Sequence, residues 1–145
     1  MNQKSKTMEC ELIIAKSCGR LIGFEVRNIL GITENSDIFK IPQLRSPLLG
    51  LGRYLNKVLA VVDTGLFCGL RRTEKHQIRK WIITETSNGL SAFAVDDVIG
   101  IKKILLKGKT SKKKIVINNF EFEGKSGDLL NIEDVLPTIE NNFEK

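Results

Sequence analysis

The feature that most constrains this chain is an internal repeat. Residues 21–32 read LIGFEVRNILGI and residues 90–101 read LSAFAVDDVIGI. Leu21, Phe24, Val26, Gly31 and Ile32 recur as Leu90, Phe93, Val95, Gly100 and Ile101, while Gly23, Asn28, Ile29 and Leu30 become Ala92, Asp97, Val98 and Ile99. A second echo relates KVLAVVDTGLF (57–67) to GDLLNIEDVLP (127–137), with Val62-Asp63 matching Ile132-Glu133 and Leu66 matching Leu136. A unit of about 70 residues is too small to hold a large core by itself. Two copies packed together remove more apolar surface from water, at roughly 25 cal/mol per Å². The 145 residues suffice for one domain or for two very small units that share a core.

The local pattern within each copy is that of strands. CELIIA (10–15) is a short apolar run, SCGR (17–20) supplies a turn glycine, and LIGFEV follows as a hairpin partner. Alternation places Ile22, Phe24 and Val26 on one face, toward a core. KWIITETSNGLSAFAVD (80–96) repeats the hairpin, with Asn88-Gly89 as the expected two-residue turn. There Ser91, Phe93 and Val95 form the inward set, met from the other strand by Trp81 or its neighbours. VRNIL and VDDVI read as short helical turns, each followed by a glycine that lets the chain leave sharply into another strand. Asp63 and Glu133 stand where a strand gives way to a helix, a position that favours negative charge beside unpaired N–H groups. Pro137 is expected to interrupt the last helix before TIENNFEK.

Composition narrows the class. The chain is 41% apolar and 28% charged, ordinary for a globular protein. No apolar run approaches the roughly 20 residues of a membrane-spanning helix, and the opening MNQKSKTMEC has no hydrophobic segment of a secretory signal. The expected location is the cytoplasm, with residues 1–8 as a flexible tail and 9–145 as one domain. Cys10, Cys18 and Cys68 are odd in number and lack metal-ligand spacing, so they read as free thiols, and no cofactor is expected. The formal charge of +6 is concentrated in RRTEKHQIRK (71–80) and KGKTSKKK (107–114), which read as solvated loops between strands. Gly108–Thr110 resembles the end of a phosphate loop, but Lys103 occupies the position of the required first glycine.

Candidate catalytic residues find no partners in the sequence. His76 is the only histidine, set in EKHQ without a nucleophile or carboxylate placed beside it. Asp96 and Asp97 are adjacent carboxylates at a strand end, which point in different directions and suit a cap on the turn that follows. The chain is read as non-catalytic.

Over residues 9 to 143 the order of features resembles the CheW-like family of chemosensory coupling scaffolds. The resemblance rests on IPQLRSPLLGLGRYLNKVLAVVDTGLF (41–67) and LSAFAVDDVIGI (90–101), with Pro47, Gly50, Asp63, Val95, Asp96, Val98 and Gly100 at the family's positions. It implies a mainly β fold of two intertwined five-stranded barrels plus a C-terminal helix. It further implies an adaptor that couples a CheA-type histidine kinase, through its regulatory domain, to the cytoplasmic helical tip of a chemoreceptor, recruited to membrane-associated arrays. The kinase surface then falls on Leu49, Gly50, Leu51 and Gly52, where small residues let a partner approach closely. The receptor groove between the barrels falls on Arg53, Leu55, Asn56 and Val98.

One departure bears on that groove. Where the family commonly carries Asn-Leu-Arg-Gly, this chain reads Arg53-Tyr54-Leu55-Asn56. Leu55 removes a guanidinium fork, and Arg53 is its expected substitute, two residues back on the same strand face. Two alternatives follow. One is an adaptor repurposed away from receptors, as in a twitching-motility or other non-flagellar system. The other is a small barrel that binds nucleic acid through the basic 107–114 loop. Against the second, Phe24, Phe93, Phe120 and Phe122 are assigned to the core or its edges, not to an exposed stacking face.

Overall fold

A computed structural model describes residues 8–87, 89–106 and 116–132. The basic tract 107–114, Asn88, Glu133, Pro137 and the expected C-terminal helix lie outside the described residues. Among the described residues ten strands form two five-stranded sheets, as the family resemblance implies. They are β1 (Met8–Ser17), β2 (Arg20–Glu25), β3 (Ile29–Glu34), β4 (Leu48–Tyr54), β5 (Lys57–Asp63), β6 (Lys80–Thr86), β7 (Gly89–Val95), β8 (Asp97–Leu106), β9 (Val116–Phe122) and β10 (Lys125–Leu130). A single-turn helix, α1 (Thr64–Phe67), follows β5. The first strand thus opens at Met8, inside the expected tail.

The repeat is built into the ladders. Sheet A has the order β8-β1-β2-β10-β9 and sheet B the order β3-β6-β7-β5-β4. Each sheet takes a hairpin from one copy and three strands from the other. The registers coincide: Ile13 opposes Phe24 in β1-β2, and Ile82 opposes Phe93 in β6-β7. Ile32 of β3 pairs with Ile82, and Ile101 of β8 pairs with Ile13. Both edge ladders carry a bulge just before the repeat's glycine, between Ile29 and Gly31 and between Val98 and Gly100. The parallel pairings, β5 with β7 and β10 with β2, are equivalent as well.

Because the hairpins are shared, both of their faces are buried. The central core between the sheets contains Ile13, Ile22, Phe24, Val62, Ile82, Phe93, Val95 and Leu130. Phe24 and Phe93 meet edge to face, with ring centroids 5.6 Å apart, and Phe67 of α1 packs on Phe93 at 5.8 Å. The opposite face of sheet A closes over Leu12, Ile14, Leu21, Ile104, Phe120 and Leu129. That of sheet B closes over Leu59, Val61, Trp81, Ile83, Ala92 and Ala94. Ile82, the neighbour of Trp81, therefore crosses to Phe93, while Trp81 fills the interior of sheet B. The two interiors are filled differently. In sheet B a Cβ on Gly52 would meet the Trp81 ring at 2.7 Å; in sheet A the space beside Gly23 and Gly127 is taken by Phe120.

Two local expectations are corrected. VRNIL does form a short helical turn, a 3-10 helix over Val26–Asn28. VDDVI does not: Asp96 is a bend and β8 begins at Asp97. The Asp96 N–H donates to the Lys16 carbonyl at 2.8 Å, and its carboxylate is held elsewhere, which keeps the chain extended. In the second hairpin Thr86 pairs with Gly89, so Gly89 is the first residue of β7 and not a turn residue.

Phe24→Ala and Phe93→Ala are each expected to cost about 3–5 kcal/mol in urea-denaturation stability. Because the rings touch, the double variant should lose less than the sum of the two.

Candidate functional site

Two acids that the sequence places at strand ends converge on one arginine. Asp63 closes β5 and is almost wholly buried; Asp96 follows β7. As expected, Asp63 caps α1, its Oδ1 accepting from the Leu66 N–H at 3.2 Å. It is also gripped by Arg72, whose Nε donates to Oδ2 at 2.8 Å and Nη2 to Oδ1 at 2.9 Å. The remaining Arg72 nitrogen, Nη1, donates to Asp96 Oδ1 at 2.9 Å. Asp96 Oδ2 in turn accepts from the Cys18 N–H in the β1-β2 turn at 3.0 Å. Asp96 is therefore a link between the sheets, not a cap, while Asp97 accepts from the Val98 N–H at 2.9 Å.

Arg72 was hidden within the basic run 71–80. Its side chain is four-fifths buried, and its hydrogen bonds with both aspartates raise its pKa above the ordinary arginine range. It stays charged at any accessible pH. Against the same joint, the Cys18 Sγ packs on Gly65, and burial pushes the Cys68 thiol up to about 12. Both thiols are held protonated, which blunts their nucleophilicity. His76 turns its Nδ1 toward the Thr73 N–H at 3.3 Å and the Thr73 hydroxyl at 3.2 Å. Among the described residues no three His, Cys, Asp or Glu side chains come together in a metal-binding group, and no helix is long and apolar enough to cross a membrane.

The residues expected to contact the kinase form most of β4, which with β3 borders sheet B. The close approach predicted at Gly50 is real but internal. Its φ is +145°, and a Cβ there would collide with the Phe39 carbonyl, while Ile38 Cγ2 lies 2.7 Å away. Phe39 pairs with Leu51 through two backbone hydrogen bonds of 2.8 and 2.9 Å. Gly52 yields to Trp81, as above. The two glycines are thus accounted for within the chain, and Leu49 and Leu51, which flank Gly50, are left partly exposed.

The four groove residues are divided. Arg53 is exposed at the end of β4. Leu55 and Asn56 form the two-residue turn between Tyr54 and Lys57, at φ +50° and +65°. Positive φ at both central residues marks a type I′ turn. Leu55 therefore lies on the turn and not on the strand face of Arg53. Val98 is in sheet A, where it pairs with Ala15 and packs against the central core.

What sequence reasoning missed is an apolar row repeated on the two edges. Leu30 and Ile32 of β3 are exposed, as are Ile99 and Ile101 of β8, the same positions of the repeat. Directly opposed residues of an antiparallel pair share a face. Ile32 and Ile101 therefore continue the central core out to solvent on sheets B and A respectively. The signal was present in the opening repeat, where Leu30/Ile99 and Ile32/Ile101 stay aliphatic in both copies.

A model of the CheW-like domain matches residues 10–119. The chain belongs to the CheW-like family. Among solved structures, the scaffolding protein TtCheW from Thermoanaerobacter tengcongensis superposes with a TM-score of 0.72, at 16% identity, covering 87% of this chain and 91% of that one. At that identity the likeness is one of fold. No curated protein matches the sequence. In this CheW-like chain, Asp63 and Asp96 of the two Val-Asp motifs thus share one cation, which ties the end of each central strand to the other half.

Arg72→Met would leave two carboxylates facing one another, and is expected to cost about 3 kcal/mol in a urea melt. Arg72→Lys should recover only part of this, since an ammonium cannot serve both carboxylates as a fork. Leu55→Asn relieves a left-handed leucine that buries little, and should raise stability by about 1 kcal/mol in the same assay.

Proposed function

We propose that this protein is a non-catalytic adaptor that couples a CheA-type histidine kinase to the cytoplasmic tip of a chemoreceptor, working in the cytoplasm at receptor arrays. The observation that carries this reading is the paired apolar row of Leu30, Ile32, Ile99 and Ile101, left exposed where the shared core meets solvent. An amphipathic helix lays its own apolar stripe into such a surface, with anchors at helical spacing. Val98 adjoins the row on β8 and belongs to this receptor face. The edge strand β4, with Leu49 to Gly52, serves the kinase regulatory domain on sheet B. Arg53, Leu55 and Asn56, at the tip of the β4-β5 hairpin, extend the receptor contact in members with an arginine at the turn. In this chain Leu55 weakens that extension, as in an adaptor of a non-flagellar system.

Titration of the purified protein with a receptor-tip hairpin and with the kinase regulatory domain tests the two faces separately. Ile32→Arg and Ile101→Arg should each weaken receptor binding at least about tenfold, or 1.4 kcal/mol, with kinase binding unchanged. Leu51→Arg should do the reverse, and Leu55→Arg should strengthen the receptor contact. If neither partner binds the unaltered protein, the coupling reading fails.

A further inference from the structure

The two copies exchange sheets. β1 and β2 lie in sheet A and their counterparts β6 and β7 in sheet B, whereas β3, β4 and β5 lie in sheet B and their counterparts β8, β9 and β10 in sheet A. An operation that sends each copy onto the other in this way is a two-fold rotation, and equivalent residues stand on opposite sides of its axis. Leu30 and Ile32 thus lie across the axis from Ile99 and Ile101. A row built in this way has no direction of its own. A helix that touches both halves crosses the axis and makes the same kinds of aliphatic contact either way round.

The charges that follow the row are not symmetric. Strand alternation puts Glu34 next after Ile32 on the same face of β3, and Lys103 next after Ile101 on β8. Glu34 is opposed by Lys80 of β6, whose Nζ donates to its Oε2 at 2.7 Å; Lys103 is opposed by Glu11 of β1. Glu34 and Lys103 are equivalent positions of the repeat, as are Glu11 and Lys80. The two cross-strand pairs are therefore the same pair with its signs exchanged. Since β3 and β8 carry the row, its line continues into an acid on one sheet and into a base on the other. Nearer the axis the copies also differ, but Arg27 is bound to Glu25 at 2.8 Å, its counterpart Asp96 is turned onto Arg72, and Asp97 opposes Lys16 on the other face of sheet A.

We propose that Glu34 and Lys103 set the direction in which a partner helix lies on the row, its basic end over Glu34 and its acidic end over Lys103. The aliphatic contacts, alike in both halves, supply affinity; the exchanged pairs supply direction, because the reversed helix would bring like charges together at both ends. The partner's chemistry follows: an amphipathic helix whose apolar stripe has basic side chains beside one end and acidic side chains beside the other. The inference rests on the reading of the row as a helix-binding face and adds to it which way round the helix goes.

The probe is a capped amphipathic peptide of about 18 residues, roughly 27 Å as a helix. It has a leucine stripe, glutamates beside its first turn and lysines beside its last, an order that also suits the helix dipole. A nitroxide sits at its N-terminus, and it is titrated into the isotope-labelled full chain. Amide shifts at 30–32 and 99–101 are expected to report binding on the row. The nitroxide should broaden the amides of 102–104 about fivefold more than those of 33–35, since exposed ion pairs are individually weak. In about 1 M salt, where charges are screened beyond about 3 Å, the two ends should broaden equally while the row shifts persist. The variant Glu11→Lys, Glu34→Lys, Lys80→Glu, Lys103→Glu keeps an opposite pair on each sheet. It should melt at an unchanged temperature, bind with unchanged affinity and move the broadening to 33–35. Row shifts with equal broadening at low salt, or broadening that the exchanged variant leaves in place, overturn the direction and leave the helix-binding face standing. No row shifts at about 1 mM peptide overturn both. So does a dimer of the unaltered chain that Ile101→Arg disperses, which would mean that a second copy covers the row.

Discussion

Everything in this molecule depends on the exchange of strands between its two copies. A hairpin of one copy has no sheet of its own to join: β1-β2 is completed by β8, β9 and β10, and β6-β7 by β3, β4 and β5. Each hairpin consequently buries both faces, one inside its sheet and one against the other sheet. The central layer around Phe24 and Phe93 exists only when both copies are folded. A small unit that could bury only one face becomes half of a larger core, the usual remedy for the surface-to-volume problem of short chains. The exchange has a further consequence. The crossings from β2 to β3 and from β7 to β8 lock the sheets together and fix each in relation to the other.

The joint between the sheets is electrostatic where the core runs out. Asp63 and Asp96 each terminate a central strand, and two carboxylates this close would repel without the Arg72 guanidinium between them. Taking three charges partly out of water is costly, and the arrangement is sustained because each carboxylate oxygen of Asp63 and Asp96 accepts a hydrogen bond. Arg72 supplies three hydrogen bonds, Leu66 and Cys18 supply backbone donors, and the Asp63 and Asp96 N–H groups are bound to Pro47 and Lys16 carbonyls. Such a network contributes less to net stability than to a unique geometry. It fixes the β1-β2 turn of sheet A onto α1 and the 68–79 segment that follows sheet B, which is the geometry an adaptor has to keep.

Much of this was legible in the residues. The offset between Phe24 and Phe93 carries directly into the ladders, because a strand register is set by alternating burial and a slip of one would turn either ring out of the core. The second echo does not, since Leu129 pairs with Gly23 as Val61 pairs with Ala92, which matches Val62 to Leu130 and not to Ile132. The cap at Asp63 was equally readable, since the acid precedes a helix start. The failures have physical causes too. Periodicity reports which face is buried but not which strand lies beside it, so nothing local says that β3 joins β6. Arg72 is chemically indistinguishable from Arg71 until folding brings two acids to it from 9 and 24 residues away. Gly50 and Gly52 gave a true signal of close approach, but the approaching groups, Phe39 and Trp81, belong to the chain itself. Leu55 was misplaced on a strand because leucine is a poor marker for a left-handed turn.

Two copies that began alike now differ mainly in their outer strands. The edges β3 and β8 keep aliphatic residues at the same positions and the same bulge, so the apolar row is a property of the duplicated plan. The strands β4 and β9 do not correspond in this way. Gly52 of β4 makes room for Trp81 of β6, whereas Phe120 of β9 fills its own sheet and leaves glycines at Gly23 and Gly127 to accommodate it. An interior aromatic has thus moved from the hairpin to the outer strand between one sheet and the other. With a ring anchored on β9, that strand is held from within. With a glycine on β4, that strand is held from outside, by the Phe39 bridge. The symmetry of the core is therefore compatible with unlike ends, and unlike ends are what a scaffold needs if it is to join partners that are not interchangeable.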